Sequence, residues 1–182
     1  MKTLIFRTDR LGDFYYTIPY INCLTRIYGK KNIDVVVKKH IYYHIKKKSF
    51  LYNKLYAFPE KGIFAKICLV LKLRQQKYKQ LIIFDGKDRS IILSKFLNIN
   101  KIYHTYPQKK SSYLTNFLFS KKYISFLDNQ IIPLKDLYKK IFNEMGIKII
   151  KKDFKILLFK NIKRINIFKN ENIGTKKFTH IH

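Results

Sequence analysis

Short unbroken apolar runs recur along this chain, each closed by a charged or turn-forming residue and followed by a stretch with helical spacing. The first is Thr3 to Arg7, "TLIFR", which reads as a buried strand. Thr8 to Gly12 reads as a loop, and a helix follows to about Tyr28. Asp13 or a neighbour can cap that helix, and Gly29 stands where a helix C′ residue belongs. Pro19 falls inside it and predicts a kink or a later start.

The pattern then repeats. Ile33 to Val37, "IDVVV", is a β-branched second strand, and "KKHIYYHIKKKSF" reads as a short helix with a heavily basic side. Leu55 to Phe58 reads as a third strand ended by Pro59. Gly62 to Lys77 has helical spacing, Leu81 to Phe84 is the next strand, and "DGKDRS" turns into a helix over Ile91 to Leu97. Ile102 to His104 is a candidate fifth strand. Tyr106 to Ile132 is polar and aromatic and reads as an excursion. Leu134 to Met145 is a helix with Gly146 as its C′ residue, "IKIIKKDFKILLFK" reads as extended, and the tail has no pattern of its own.

Strand, loop and helix in repetition, with strands apolar on both faces, predict an α/β fold: a Rossmann-like parallel sheet with helices on both faces. Ligands in such sheets sit at the carboxyl ends of strands. Two charged turns, "RTDRLGD" and "DGKDRS", fall at such ends.

Composition adds a partner question. The 182 residues carry a formal charge of +28, which invites a polyanion such as nucleic acid or an anionic membrane surface. Lysines outnumber arginines 33 to 6 and are spread along the whole chain, as an AT-rich genome would write them. That spread disfavours nucleic acid, whose binders cluster cations on one face. Cys23 and Cys68 lie among apolar neighbours, as buried free thiols do, which fits a reducing cytoplasm. No signal peptide is visible, and no apolar run reaches the ~18 residues of a membrane span.

The two turns carry the candidate chemistry. Asp13 at a helix start is either a cap or a general base that accepts a hydroxyl proton. Arg7 and Arg10 would favour its ionised form and could bind an anionic substrate. Gly12 would allow a tight turn or a close approach. Asp85, Gly86, Lys87 and Arg89 repeat the same logic after a later strand, against the simpler reading of an ordinary capped turn. Neither glycine-rich nucleotide cradle, G-x-G-x-x-G or G-x-x-x-x-G-K-[ST], is present. His180 and His182, or His40 and His44, have no cysteine or carboxylate cluster beside them, so no metal site is expected.

At these residues a family resemblance enters. "LIFRTDRLGD", a helix, then "IDVVVKK" resembles the start of the heptosyltransferase family of glycosyltransferases, which build lipopolysaccharide cores. "KYKQLIIFDGKDRSIILSKFL" resembles a second segment of that family, and the two span about residues 1 to 105. The resemblance implies the N-terminal half of a GT-B fold, on the acceptor side of a cleft. It implies Asp13 as the base acting on an acceptor hydroxyl. It also implies Arg7, Thr8, Arg10 and Gly12, with Asp85, Gly86, Lys87 and Arg89, as substrate-side residues. No cofactor is implied; a nucleotide sugar such as ADP-heptose is the co-substrate, and the acceptor is lipid-linked or an oligosaccharide. Residues 1–150 are then the acceptor-side domain and 151–182 a linker with the start of a second, donor-binding domain. On this expectation the chain is inactive alone: a fragment, a frameshift product, or half of a split enzyme that pairs with a separate C-terminal half. It is cytoplasmic, with peripheral contact to the inner face of the membrane. The alternative is a non-catalytic basic module that binds nucleic acid or an anionic surface.

Overall fold

The structure is a computed structural model and describes residues 1–46, 51–107, 123–126 and 133–154. Its elements are β1 (Thr3–Arg7), α1 (Leu11–Tyr28), a 3-10 turn (Lys30–Asn32), β2 (Ile33–Lys38), α2 (Lys39–Ile45), β3 (Lys54–Phe58) and α3 (Ile63–Arg74). There follow β4 (Gln80–Ile83), α4 (Asp88–Lys95), β5 (Lys101–Pro107), β6 (Tyr123–Phe126), α5 (Leu134–Glu144) and a second 3-10 turn (Lys151–Phe154).

The six strands form one sheet in the order β3-β2-β1-β4-β5-β6, and each neighbouring pair is parallel. The chain moves outward from β1 to β3, then crosses back to place β4 on the other side of β1. The carboxyl ends of β1 and β4 therefore flank the point where strand order reverses, which is where such sheets hold ligands.

Alternation along each strand divides the core. Ile5, Val35, Val37 and Ile82 face the layer that contains α1, α2 and α5. Leu4, Phe6, Val36, Leu81 and Ile83 face the layer built by α3 and α4. Strands buried on both faces read as continuous apolar runs, which is why β1, β2 and β4 were visible in sequence. At the opposite end of the sheet, buried Asp34 accepts hydrogen bonds from Asn53 Nδ2, the Lys54 N–H and the Tyr78 hydroxyl, fixing the start of β3.

Several expectations change. α1 starts at Leu11, inside the expected loop, and runs through Pro19 without a shifted start. Pro19 leaves the helix without the one hydrogen bond its nitrogen cannot donate, and its ring lies buried in the core. α4 starts at Asp88 and ends at Lys95, earlier than the apolar spacing suggested. β6 lies within the segment read as an excursion. Residues 151–154, read as extended, form a 3-10 turn held to α1: Asp153 accepts from Arg26 Nε at 2.9 Å and Nη2 at 3.0 Å. Cys23 is buried as expected, but Cys68 is exposed, because the outer side of α3 is open. The end of the basic helix beyond Lys46, the rest of the excursion, the tail and the His180/His182 pair lie outside the described residues.

Candidate active site at the carboxyl ends of two central strands

β1 delivers Arg7 as its last residue, and sheet alternation turns the side chain into the core layer under α5. Arg7 is 2% exposed and spends its guanidinium on four internal partners. Nη1 donates to the Phe84 carbonyl and to the Tyr138 hydroxyl at 2.8 Å. Nη2 lies 3.5 Å from Asp13 Oδ1. Nε lies 3.1 Å from Asp9 Oδ1 without hydrogen-bond alignment, so that contact is purely electrostatic. Arg7 therefore stands beneath the site and holds two carboxylates in place.

Those carboxylates differ. Asp9 is 15% exposed on its side chain, and its pKa is raised to about 6. Burial is the largest cause; the Arg7 charge opposes it, and the charges of Asp85 and Asp13 add to it. Asp13 is the more open of the two, at 35% side-chain exposure. It is the third residue of α1 rather than its cap: the N-cap is Arg10, and no side chain caps this helix. A carboxylate in the first turn is favoured by the helix dipole without giving up its oxygens to the backbone. Asp13 Oδ1 has Arg7 behind it.

Arg10 is exposed at the mouth, and Gly12 is exposed in the first helical turn, where an added Cβ would meet nothing within 4 Å. Gly12 thus serves neither the tight turn nor the close approach expected of it; it is helical and lies on open surface beside Asp13.

The second turn is bound to the first. Asp85 Oδ2 accepts the Thr8 N–H at 2.8 Å, the Thr8 hydroxyl at 2.6 Å and the Ser90 hydroxyl at 2.7 Å. Its Oδ1 accepts the Lys87 N–H at 3.1 Å, and Gly86 takes φ of 52° to let the turn close. Arg89 donates to the Thr8 hydroxyl through Nε at 3.1 Å and to the Thr8 carbonyl, and it lies over the Phe58 ring. Thr8 is fully buried, whereas Lys87 is exposed. The structure thus brings all nine sequence-chosen residues to one end of the sheet. They divide into an inner frame (buried Arg7 and Thr8, half-buried Asp85 and Gly86) and an accessible rim (Arg10, Gly12, Asp13, Lys87, Arg89).

Sequence reading missed Tyr138. It reaches the site from α5, buried against Tyr20 and Phe84 at ring separations of 4.9 and 4.7 Å. Its hydroxyl accepts from Arg7 and lies 3.3 Å from the Phe84 carbonyl, to which it donates. Burial pushes the phenol well above its ordinary range, so it remains a donor. No local signal marks it, since its partner lies 131 residues away.

This is a parallel α/β unit whose charged, partly open turns meet at the strand-order reversal, as in nucleotide-sugar-dependent transferases and many other ligand-binding folds. The comparisons narrow it. No family profile matches the chain. It is 27% identical over 149 residues to lipopolysaccharide heptosyltransferase 1 of Campylobacter coli, covering 79% of this chain and 42% of that protein. The E. coli heptosyltransferase WaaC, solved with ADP, superposes with a TM-score of 0.63 at 14% identity, covering 83% of this chain and 49% of WaaC. A glycosyl transferase family 9 structure from Veillonella parvula gives a TM-score of 0.62 at 16% identity, covering 81% and 41%. In sequence and in fold, the chain is similar to the heptosyltransferase family of glycosyltransferases, as its two motifs had suggested. It spans less than half the length of the curated relative.

Proposed function

We propose that these residues form the acceptor side of a heptosyltransferase-like glycosyltransferase, with Asp13 as the general base. The observation that carries this reading is the state of Asp13. It is a partly open carboxylate at the strand-order reversal, backed by buried Arg7 and not consumed as a helix cap. In the reaction, an acceptor hydroxyl binds between Asp13 and the rim of Arg10, Lys87 and Arg89. Asp13 takes its proton as the oxygen bonds to the anomeric carbon of the sugar. The bond from that carbon to the nucleoside diphosphate breaks, and the leaving group departs with the electron pair. Arg7 positions Asp13 and Asp9 and does not itself touch the acceptor.

The donor is a nucleotide sugar of the ADP-heptose kind, held by a second α/β unit that faces this one across a cleft. The acceptor is a lipopolysaccharide-type saccharide on a lipid. The support is the relationship to lipopolysaccharide heptosyltransferase 1 and the likeness to WaaC, together with a site that offers cations and a partly open carboxylate. The described residues bind acceptor without transferring sugar by themselves. The test is sugar transfer in a protein that carries both sides. Asp13→Asn is expected to lower the rate by about 100-fold or more, the usual contribution of a general base, with folding intact. An Asp13→Asn protein that transfers at the parental rate overturns the assignment.

A further inference from the structure

We infer that the sheet edge at β3 is a docking site for an extended acidic segment of a partner protein, which adds to the sheet as a further strand. β3 ends the strand order: it pairs with β2 and, among the described residues, with no other strand. The backbone N–H and C=O groups that point away from β2 are a template for another chain unless something covers them. This edge opens into a groove of about 450 Å³. Leu55, Tyr56 and Ala57 of β3 form its floor, with Tyr42 of α2 on one side and Ala65 and Cys68 of α3 on the other. Both helical layers therefore flank the position that the next strand would take.

Alternation and charge select the occupant. Leu55 packs into the core layer of α2, and Tyr56 into that of α3. A strand laid beside β3 turns its side chains the same two ways. One row meets Ala65 and Cys68, both exposed and uncharged, and suits small apolar residues. The other row passes Tyr42, where Lys46 Nζ lies 5.5 Å from the ring centroid and Lys39 is exposed one turn earlier. Lys72 lines the α3 wall, and exposed Lys54 opens β3. The nearby carboxylates do not answer these cations: Glu60 is paired with Lys38 at 3.7 Å, and Asp34 is buried. A second copy on this edge would bring the four lysines against their own kind, whereas an acidic segment pairs them.

Lys54 and Pro59 bracket the edge, which limits pairing to the short uncharged stretch between them. β2 separates β3 from β1, so the docking does not depend on the site at Asp13.

The test uses the full chain and, as probe, an alternating Glu–Val peptide as long as β3. Cys68 is exposed and Cys23 buried, so a thiol reagent acting on the folded protein reads the groove. Saturating peptide should slow modification of Cys68 by about tenfold or more and shift the amide resonances of Leu55, Tyr56 and Ala57. A peptide of equal charge with proline for its central valine cannot complete the ladder and should bind about tenfold more weakly or worse. Lys46→Glu, Lys72→Glu should weaken binding of the Glu–Val peptide by about tenfold, without moving the unfolding temperature, since both side chains are exposed. Lys31→Glu, Lys152→Glu, exposed in the two 3-10 turns, changes the net charge equally and should leave binding nearly unchanged. Equal binding of the two peptides, or equal losses in the two variants, overturns the proposal in favour of nonspecific charge attraction. A Glu–Val peptide that leaves Cys68 and the β3 resonances unaltered overturns it outright. Wild type that dimerises without peptide, with the β3 resonances shifting as concentration rises, overturns it in favour of a second copy on this edge.

Discussion

The Asp85 carboxylate takes both the N–H and the hydroxyl of Thr8, so the turn after β4 is clamped to the turn after β1 across 77 residues of sequence. The clamp explains why two similar charged motifs occur in one short chain. One of them offers an open carboxylate, and the other spends its carboxylate holding the first in position.

Removing that clamp should cost stability. Asp85→Ala removes the acceptor shared by the Thr8 N–H and the buried Thr8 and Ser90 hydroxyls, leaving the two hydroxyls only each other to donate to. Urea unfolding should show a loss of about 2–3 kcal/mol, since hydrogen bonds to a charged group are among the stronger ones. An Asp85→Ala protein as stable as wild type would show instead that Asp85 faces substrate alone.

Arg7 makes the sharper case. Arg7→Met keeps the volume but leaves Asp9 and Asp13 without their shared cation, and Tyr138 without its donor. Breaking a buried ion pair from one side costs about 3–5 kcal/mol, so the variant should unfold at markedly lower urea. A protein unaffected by Arg7→Met would mean the guanidinium is dispensable to the frame.

How much of this was readable in advance follows from the range of each interaction. β1, β2 and β4 announce themselves because strands buried on both faces are unbroken apolar runs. The positions of Asp13 and Asp85 follow from that, since each sits just after such a strand. The burial of Arg7 did not follow: its partners Phe84 and Tyr138 lie 77 and 131 residues away. Periodicity carries no information at that distance. The helix start at Leu11 was hidden because Arg10, its N-cap, has no capping side chain to advertise it. The open face of α3 was hidden for a related reason: apolar spacing shows which positions could be buried, and not which of them find a neighbour.

Two buried groups should pull stability in opposite directions with pH. Asp9 has a folded pKa of about 6, against an ordinary 3.8, so the stability it contributes is full below 3.8 and is lost as pH rises through about 6. Burial lowers His104 to about 4 from 6.5, so its contribution is full above 6.5 and is lost as pH falls through about 4. Each shift corresponds to about 3 kcal/mol, and the two windows nearly coincide. Relative to wild type, Asp9→Asn should therefore make stability rise more steeply between these pH values, and His104→Gln should make it fall. Thermal unfolding across the window measures both; parallel profiles for the two variants would refute the opposed pair.

The acceptor assignment can be tested on the chain as it stands, without any donor. A lipopolysaccharide core oligosaccharide titrated into isotopically labelled protein should shift the amide resonances of Leu11, Gly12 and Asp13, with those of Lys87 and Arg89. Asp13→Asn should leave that pattern and the affinity close to wild type, because the base acts on the proton rather than holding the sugar. Saturating oligosaccharide that moves none of these resonances, or moves only residues at the amino end of the sheet around Asp34, would contradict an acceptor site at the carboxyl ends of β1 and β4.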